Sequence, residues 1–114
     1  MTPRLFVCTT CDRYATPPAH PTRGEGLLDA VRAEAARQGV ARLVHETACV
    51  MSCPRPCGAA LREGRGGGMF RFAGLAPGDA AALAGFLAAR AADRAAAVPA
   101  ALADRVASYI LPPR

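Results

Sequence analysis

The sequence predicts an α/β fold with the element order β-α-β-β-β-α and an additional C-terminal helix. Three observations carry that expectation. A short β-branched and aromatic run, RLFVC, is followed by a helix-period stretch and then by a second strand-like run. A glycine-rich turn, GRGGG, separates two further strand-like segments and marks a hairpin. Beyond it, two alanine-rich segments place larger apolar residues at helical spacing. With 114 residues and no internal repeat, residues 1–114 are expected to form one domain.

The elements follow from local chemistry. Arg4 to Cys8 reads as a short buried strand, and a Pro-rich loop, TPPAHPTRGEG, leaves it. Gly26 to Gln38 reads as a helix, with Leu27, Leu28, Val31 and Ala35 on one face and Gly39 as its stop. Ala41 to Thr47 is the second strand. Ala59 to Glu63 and Met69 to Ala73 form the hairpin, with Phe70 and Phe72 on one face and Arg71 on the other. Pro77 and Asp79 open a helix running to about Ala96, with Leu83, Phe86 and Leu87 as its apolar stripe. Pro99 begins the final helix, on which Leu102, Val106 and Ile110 share one side and offer a face for a homodimer.

Composition narrows the function. Apolar residues make up 52% of the chain, but much of that is alanine, with no Trp and few aromatics. The core is therefore thin, and an inorganic cross-link would stabilise it. The net charge of +5 is carried by arginine alone, scattered from Arg4 to Arg114. Neither a basic stripe nor a pattern of stacking aromatics accompanies it, so nucleic-acid binding is not expected. No apolar run approaches the roughly 20 residues that span a bilayer. MTPRLFVCTT lacks the long apolar region of a secretory signal, so a cytoplasmic location without membrane attachment is expected.

The five cysteines are the main functional signal. Cys8 and Cys11 form a C-x2-C, and Cys49, Cys53 and Cys57 form a C-x3-C-x3-C. In a reducing compartment such clusters favour metal or redox chemistry over structural disulfides, and five thiols cannot pair among themselves. Both groups fall at the carboxyl ends of expected strands. If those strands are parallel neighbours, thiols some 40 residues apart in sequence meet at one sheet edge. Four thiolates are the usual ligand set of an iron–sulfur cluster. Arg13 and Arg55 could offset its negative charge, and Ser52 and Gly58 leave backbone N–H groups free to approach sulfur.

On RLFVCTTC and ETACVMSCPRPCGAALRE, the chain resembles the thioredoxin-like [2Fe-2S] ferredoxins. It resembles more closely a bacterial family of small predicted metal-binding proteins of unassigned function. The resemblance implies a thioredoxin-like fold and a [2Fe-2S] cluster held by Cys8, Cys11, Cys49 and Cys53. It also implies an electron-transfer or metal-handling protein, often a homodimer in the ferredoxin branch, and the expected role is single-electron transfer without enzymatic activity of the chain's own. Two departures stand out. The first cysteine pair is two residues apart where the ferredoxins usually have four or more, and Cys57 is extra. Cys8, Cys49 and Cys53 match by position and Cys11 by role, while Cys57 is a fifth candidate metal ligand. The arginine-rich surface suggests an acidic redox partner protein.

Two alternatives stay open. C-x2-C also makes a zinc knuckle, which would give a zinc-binding or metal-delivery module without redox work. A C-x2-C after the first strand also suits a dithiol oxidoreductase, although a long loop separates it from the expected helix. His20 and His45 read as a solvated loop residue and a half-buried strand residue, Asp12 and Asp79 as turn or cap residues, and Tyr14 as a packing residue that could shield a cluster. GRGGG lacks the strand-to-helix context and the Lys-Ser/Thr of a phosphate loop.

Overall fold

The computed structural model describes residues 2–9, 23–47, 58–63, 68–93 and 95–110. In chain order they form β1 (Arg4–Cys8), α1 (Arg23–Arg37), β2 (Val44–Thr47), β3 (Ala59–Arg62), β4 (Met69–Phe72), α2 (Ala80–Ala92) and β5 (Val106–Ile110). The architecture is mixed α/β, with one five-stranded sheet in the order β2-β1-β3-β4-β5. β1 and β2 run parallel, whereas β3, β4 and β5 are each antiparallel to the neighbour before them in that order.

Register decides which residues meet the helices. Leu5, Leu61 and Phe70 lie in one cross-strand row and Val7, Ala59 and Phe72 in another. Because strand side chains alternate with a period of two, both rows share one face. Phe70 and Phe72 meet the Phe86 ring of α2 edge-on, at 5.4 and 6.2 Å, so that face carries the helix layer. α1 packs on α2, β1 and β2. Leu5, Leu27, Val31, Leu61, Phe72 and Phe86 are among the fully buried residues of the core between the layers.

The helix ends have local causes. Gly39 has φ +73°, a conformation glycine adopts without steric cost. Its N–H donates to the Ala36 carbonyl (3.3 Å) and the Val40 N–H to the Ala35 carbonyl (2.9 Å), closing α1 with a Schellman motif. At its other end α1 starts at Arg23, three residues before the expected Gly26. Helix propensity argues against glycine there, but packing at Gly24 overrides it, as described below. α2 is preceded by a 3-10 turn, Pro77–Asp79, whose Asp79 carboxylate accepts the Ala76 N–H at 2.9 Å, the capping role read from the sequence. It ends at Ala92 rather than near Ala96, where the Asp93 carboxylate accepts the Ala95 N–H at 2.9 Å in an Asx turn. The expected second strand is divided into a 3-10 turn, Ala41–Leu43, and β2.

The expected C-terminal helix is not formed. Ala100–Arg105 is a 3-10 segment and Val106–Ile110 is β5, paired with β4 across an irregularity between Arg71 and Phe72. The spacing of Leu102, Val106 and Ile110 fits a helix, but Val, Tyr and Ile also favour a pleated surface, and β4 offers backbone donors and acceptors that a terminal helix would leave unused. A helical dimer face built on those three residues is thereby withdrawn. Leu102 is buried instead, and the Ala73 N–H donates to the Arg105 carbonyl at 2.8 Å. A side-chain cluster completes the attachment. Tyr109 lies 4.5 Å from the Phe70 ring, and its hydroxyl donates to Glu63 at 3.1 Å. Arg90 of α2 pairs with Glu63 and lies 5.0 Å from the centre of the Phe70 ring.

Two outcomes follow from this C-terminal packing. Leu102→Ala removes a fully buried side chain, and urea unfolding should show a loss of about 2–5 kcal/mol. The Tyr109 phenol is raised above its ordinary value by loss of solvation, then by the hydrogen bond to Glu63 and that residue's charge, with Arg90 opposing. As pH rises past about 10 the unfolded chain therefore releases this proton before the folded one does, and stability falls. Tyr109→Phe should lessen that alkaline loss, and Glu63→Gln should bring the phenol's ultraviolet titration back toward its ordinary midpoint.

Candidate thiol centre

β1 is the middle member of the three strands that frame this site. Its last residue, Cys8, pairs in register with Thr47, the last residue of β2. The Thr9 N–H donates to the Thr47 carbonyl at 2.9 Å, and the Thr9 hydroxyl reaches the same oxygen at 3.3 Å. On the other side, the Cys8 N–H donates to the Gly58 carbonyl at 3.0 Å, one residue before β3 begins. Cys8 is thus held between the residue that precedes the second cysteine segment and the residue that follows it.

Of the five sequence-predicted thiols, Cys8 is the one within the described residues. It is buried, 3% exposed, and belongs to the core cluster. Cys11, Cys49, Cys53 and Cys57 lie outside the described residues, as do Asp12, Arg13, Tyr14, His20, Ser52 and Arg55. Among the described residues no group of three His, Cys, Asp or Glu side chains is placed to hold a metal ion. Chain connectivity nonetheless limits the separations. Cys49 follows Thr47 by two positions, a reach of at most about 7 Å, and Cys57 adjoins Gly58, with neighbouring Cα atoms about 3.8 Å apart. His45 is half-buried on β2, and its ring stacks on Phe6 at 5.4 Å, an arrangement that assigns it to packing.

Gly24 is the residue that the sequence reading missed. It is buried in the first turn of α1, and a Cβ there would stand 2.1 Å from the Cys8 carbonyl oxygen and 3.0 Å from the Thr9 carbonyl carbon. Any side chain would push the helix off the strand. With glycine, the helix start lies directly against the Cys8–Thr9 peptide. The first turn of a helix carries unsatisfied N–H groups and the positive end of its dipole, so it favours negative charge nearby. The only sequence trace of this contact is a glycine two residues ahead of the expected helix, in a stretch that otherwise reads as loop.

The two first-turn glycines make a controlled comparison. Gly24→Ala should destabilise the chain by about 1–3 kcal/mol in thermal or urea unfolding, the usual cost of overpacking. Gly26 has nothing within 4 Å of a built Cβ. Gly26→Ala should instead stabilise by about 0.5–1 kcal/mol through helix propensity.

No helix among the described residues is long and apolar enough to cross a membrane. Neither the curated proteins nor the solved structures contain a significant match to this chain. One family model does match, over residues 5–107, from within β1 to within β5. The chain belongs to that family, described as protein of unknown function (DUF1636).

Proposed function

We propose that this chain is a small thioredoxin-like electron carrier whose clustered cysteines hold one [2Fe-2S] cluster. The observation that carries the reading is the seating of Cys8 between Thr47 and Gly58, because it anchors both ends of the second cysteine segment beside the first. The strand order β2-β1-β3-β4, with a parallel first pair and α2 after β4, supports the thioredoxin-like arrangement. The donor chemistry fits the group: thiolate is the usual iron–sulfur ligand, four are required, and five are present.

Cys8, Cys11, Cys49 and Cys53 would hold the cluster, with Cys57 as the fifth thiol available at the same edge. When bound, the cluster supplies a one-electron couple. The chain's residues would set its surroundings. Buried Cys8 limits water at one ligand, Gly24 lets the start of α1 approach, and Thr9 fixes the strand end to β2. The reading includes a cytoplasmic location and no catalytic activity of its own. One observation favours a second reading, a dithiol oxidoreductase: the start of α1 touches the Cys8 backbone, and a helix N-terminus activates thiols.

Purification without added metal separates the possibilities. The electron-carrier reading expects coloured protein with iron and acid-labile sulfide in equal amounts, bleached by dithionite. Cys8→Ser should abolish or strongly shift the visible spectrum. Colourless protein with bound zinc would replace this reading with a zinc module, and metal-free protein that reduces insulin disulfides would replace it with the oxidoreductase.

A further inference from the structure

The sheet ends on β5 at one side and on β2 at the other, and hydrogen-bond parity fixes what each edge presents. The Glu63 N–H donates to the Gly68 carbonyl at 2.9 Å, and the Ala73 N–H to the Arg105 carbonyl at 2.8 Å. Hydrogen-bonded and non-hydrogen-bonded positions alternate along an antiparallel pair. The Phe70 backbone therefore bonds toward β3, and the Arg71 backbone toward β5, opposite Ser108. Tyr109 stands opposite Phe70, so its own N–H and C=O point away from β4, out of the sheet. Among the described residues Tyr109 is also the exposed large hydrophobic side chain, 43% accessible, with its ring against Phe70. No residue of Val106–Ile110 is charged. The β2 edge differs. There the Thr47 carbonyl turns to β1 to accept the Thr9 N–H, so alternation turns the Glu46 backbone outward, and Glu46 is exposed.

We propose that the outer edge of β5 pairs with the same edge of a second copy of this chain, antiparallel about a twofold axis at Tyr109. Each Tyr109 N–H then donates to the carbonyl of the partner subunit's Tyr109, which satisfies both outward groups on both chains. Self-complementarity selects the second copy. The pairing brings no like charges together, and it sets two exposed tyrosine rings side by side. The irregularity between Arg71 and Phe72 interrupts the ladder on the Val106 side, which centres the pairing on Tyr109. At β2 the equivalent pairing would place two Glu46 carboxylates opposite each other, where they repel. Assembly therefore stops at two chains, with a β2 edge at each end. The paired surface is a sheet edge rather than a helical face. Along the joined sheet the two copies of β1 stand seven strand spacings apart, about 34 Å, so each thiol centre belongs to one chain. The pairing itself does not depend on the function proposed above.

Sedimentation equilibrium on the full chain reads the assembly, and a dimer that dissociates on dilution is expected. Tyr109→Pro deletes the outward N–H without removing a bond to β4, and should raise the dissociation constant about tenfold or more. Tyr109→Phe keeps the ring and the N–H, and Glu46→Lys alters the other edge; each should change the constant by less than about twofold. Ala107→Lys puts a charge beside the twofold axis, should weaken the dimer in the same direction, and serves if the proline variant does not fold. In the unaltered chain the Tyr109 amide should exchange slowly when concentrated and rapidly after dilution. A monomer at every concentration, a dimer indifferent to Tyr109→Pro and Ala107→Lys, or growth beyond two chains would each overturn the proposal. Iron content read on the same samples keeps the two ideas apart. Iron-free chain that still dimerises through Tyr109 leaves the β5 pairing standing and removes the electron carrier, and iron-loaded monomer does the reverse.

Discussion

Two backbone hydrogen bonds organise this molecule: Cys8 N–H to Gly58 and Thr9 N–H to Thr47. They extend the β1 ladders to both sides at the point where the strand ends. Each satisfies a backbone group that would otherwise be left unpaired near the core, so neither can be given up cheaply. Because β1 is flanked by β2 in parallel and β3 antiparallel, the bonds also make a topological statement. The chain leaves β2 and enters β3 at the same sheet edge, and Cys8 stands between the two points. A thiol-rich segment inserted there has its ends fixed before any metal is considered.

The rest of the architecture supports that edge. α1 lies close against it because Gly24 has no side chain, and α1 is in turn buried against α2 and the Leu5 and Val7 face of the sheet. At the far side, Glu63, Arg90 and Tyr109 tie β5 to the hairpin and to α2. That closes the sheet beside β4 with the aromatic cluster of Phe70, Phe72 and Phe86 beneath. Both helices occupy one face, and the alternation assigns Arg4, Phe6, His45, Ala60, Arg62 and Arg71 to the other. Two-layer packing accounts for where the strand arginines fall: one sheet face must be apolar for the helices, and Arg4, Arg62 and Arg71 take remaining positions of the alternation.

Much of this was legible in the residues. RLFVC is strand by composition and length, and β1 occupies those five residues. The hairpin was legible because glycines separate two runs of strand-forming residues, and Phe70 and Phe72 sharing a face follows from their spacing. The apolar stripe of α1 and its stop at Gly39 are local signals with local causes. The C-terminus was misread because Leu102, Val106 and Ile110 satisfy a helical period and VASYI satisfies a strand. What decides between them is the free edge of β4, a non-local partner. Gly24 was invisible for a similar reason, since the need for glycine arises from the Cys8 carbonyl, sixteen residues away in sequence. For the proposed thiol centre, spacing named five candidate ligands, of which the described residues include Cys8, and the parallel pairing of β1 with β2 sets Thr47, two residues before Cys49, beside it.

The account stands or falls on whether the two cysteine segments meet. The most direct measurement is disulfide trapping in metal-free chains that retain Cys8 and one other cysteine, with the remaining three replaced by serine. Cys57 adjoins Gly58, whose carbonyl accepts the Cys8 N–H, so chain connectivity limits how far the two can separate, and disulfides form where Cα atoms are less than about 7 Å apart. Rapid oxidation of the Cys8/Cys57 or Cys8/Cys49 chain to an intramolecular disulfide, lost on unfolding before oxidation, is the expected result. Failure of Cys8 to couple with any of Cys49, Cys53 or Cys57 in the folded chain would contradict it.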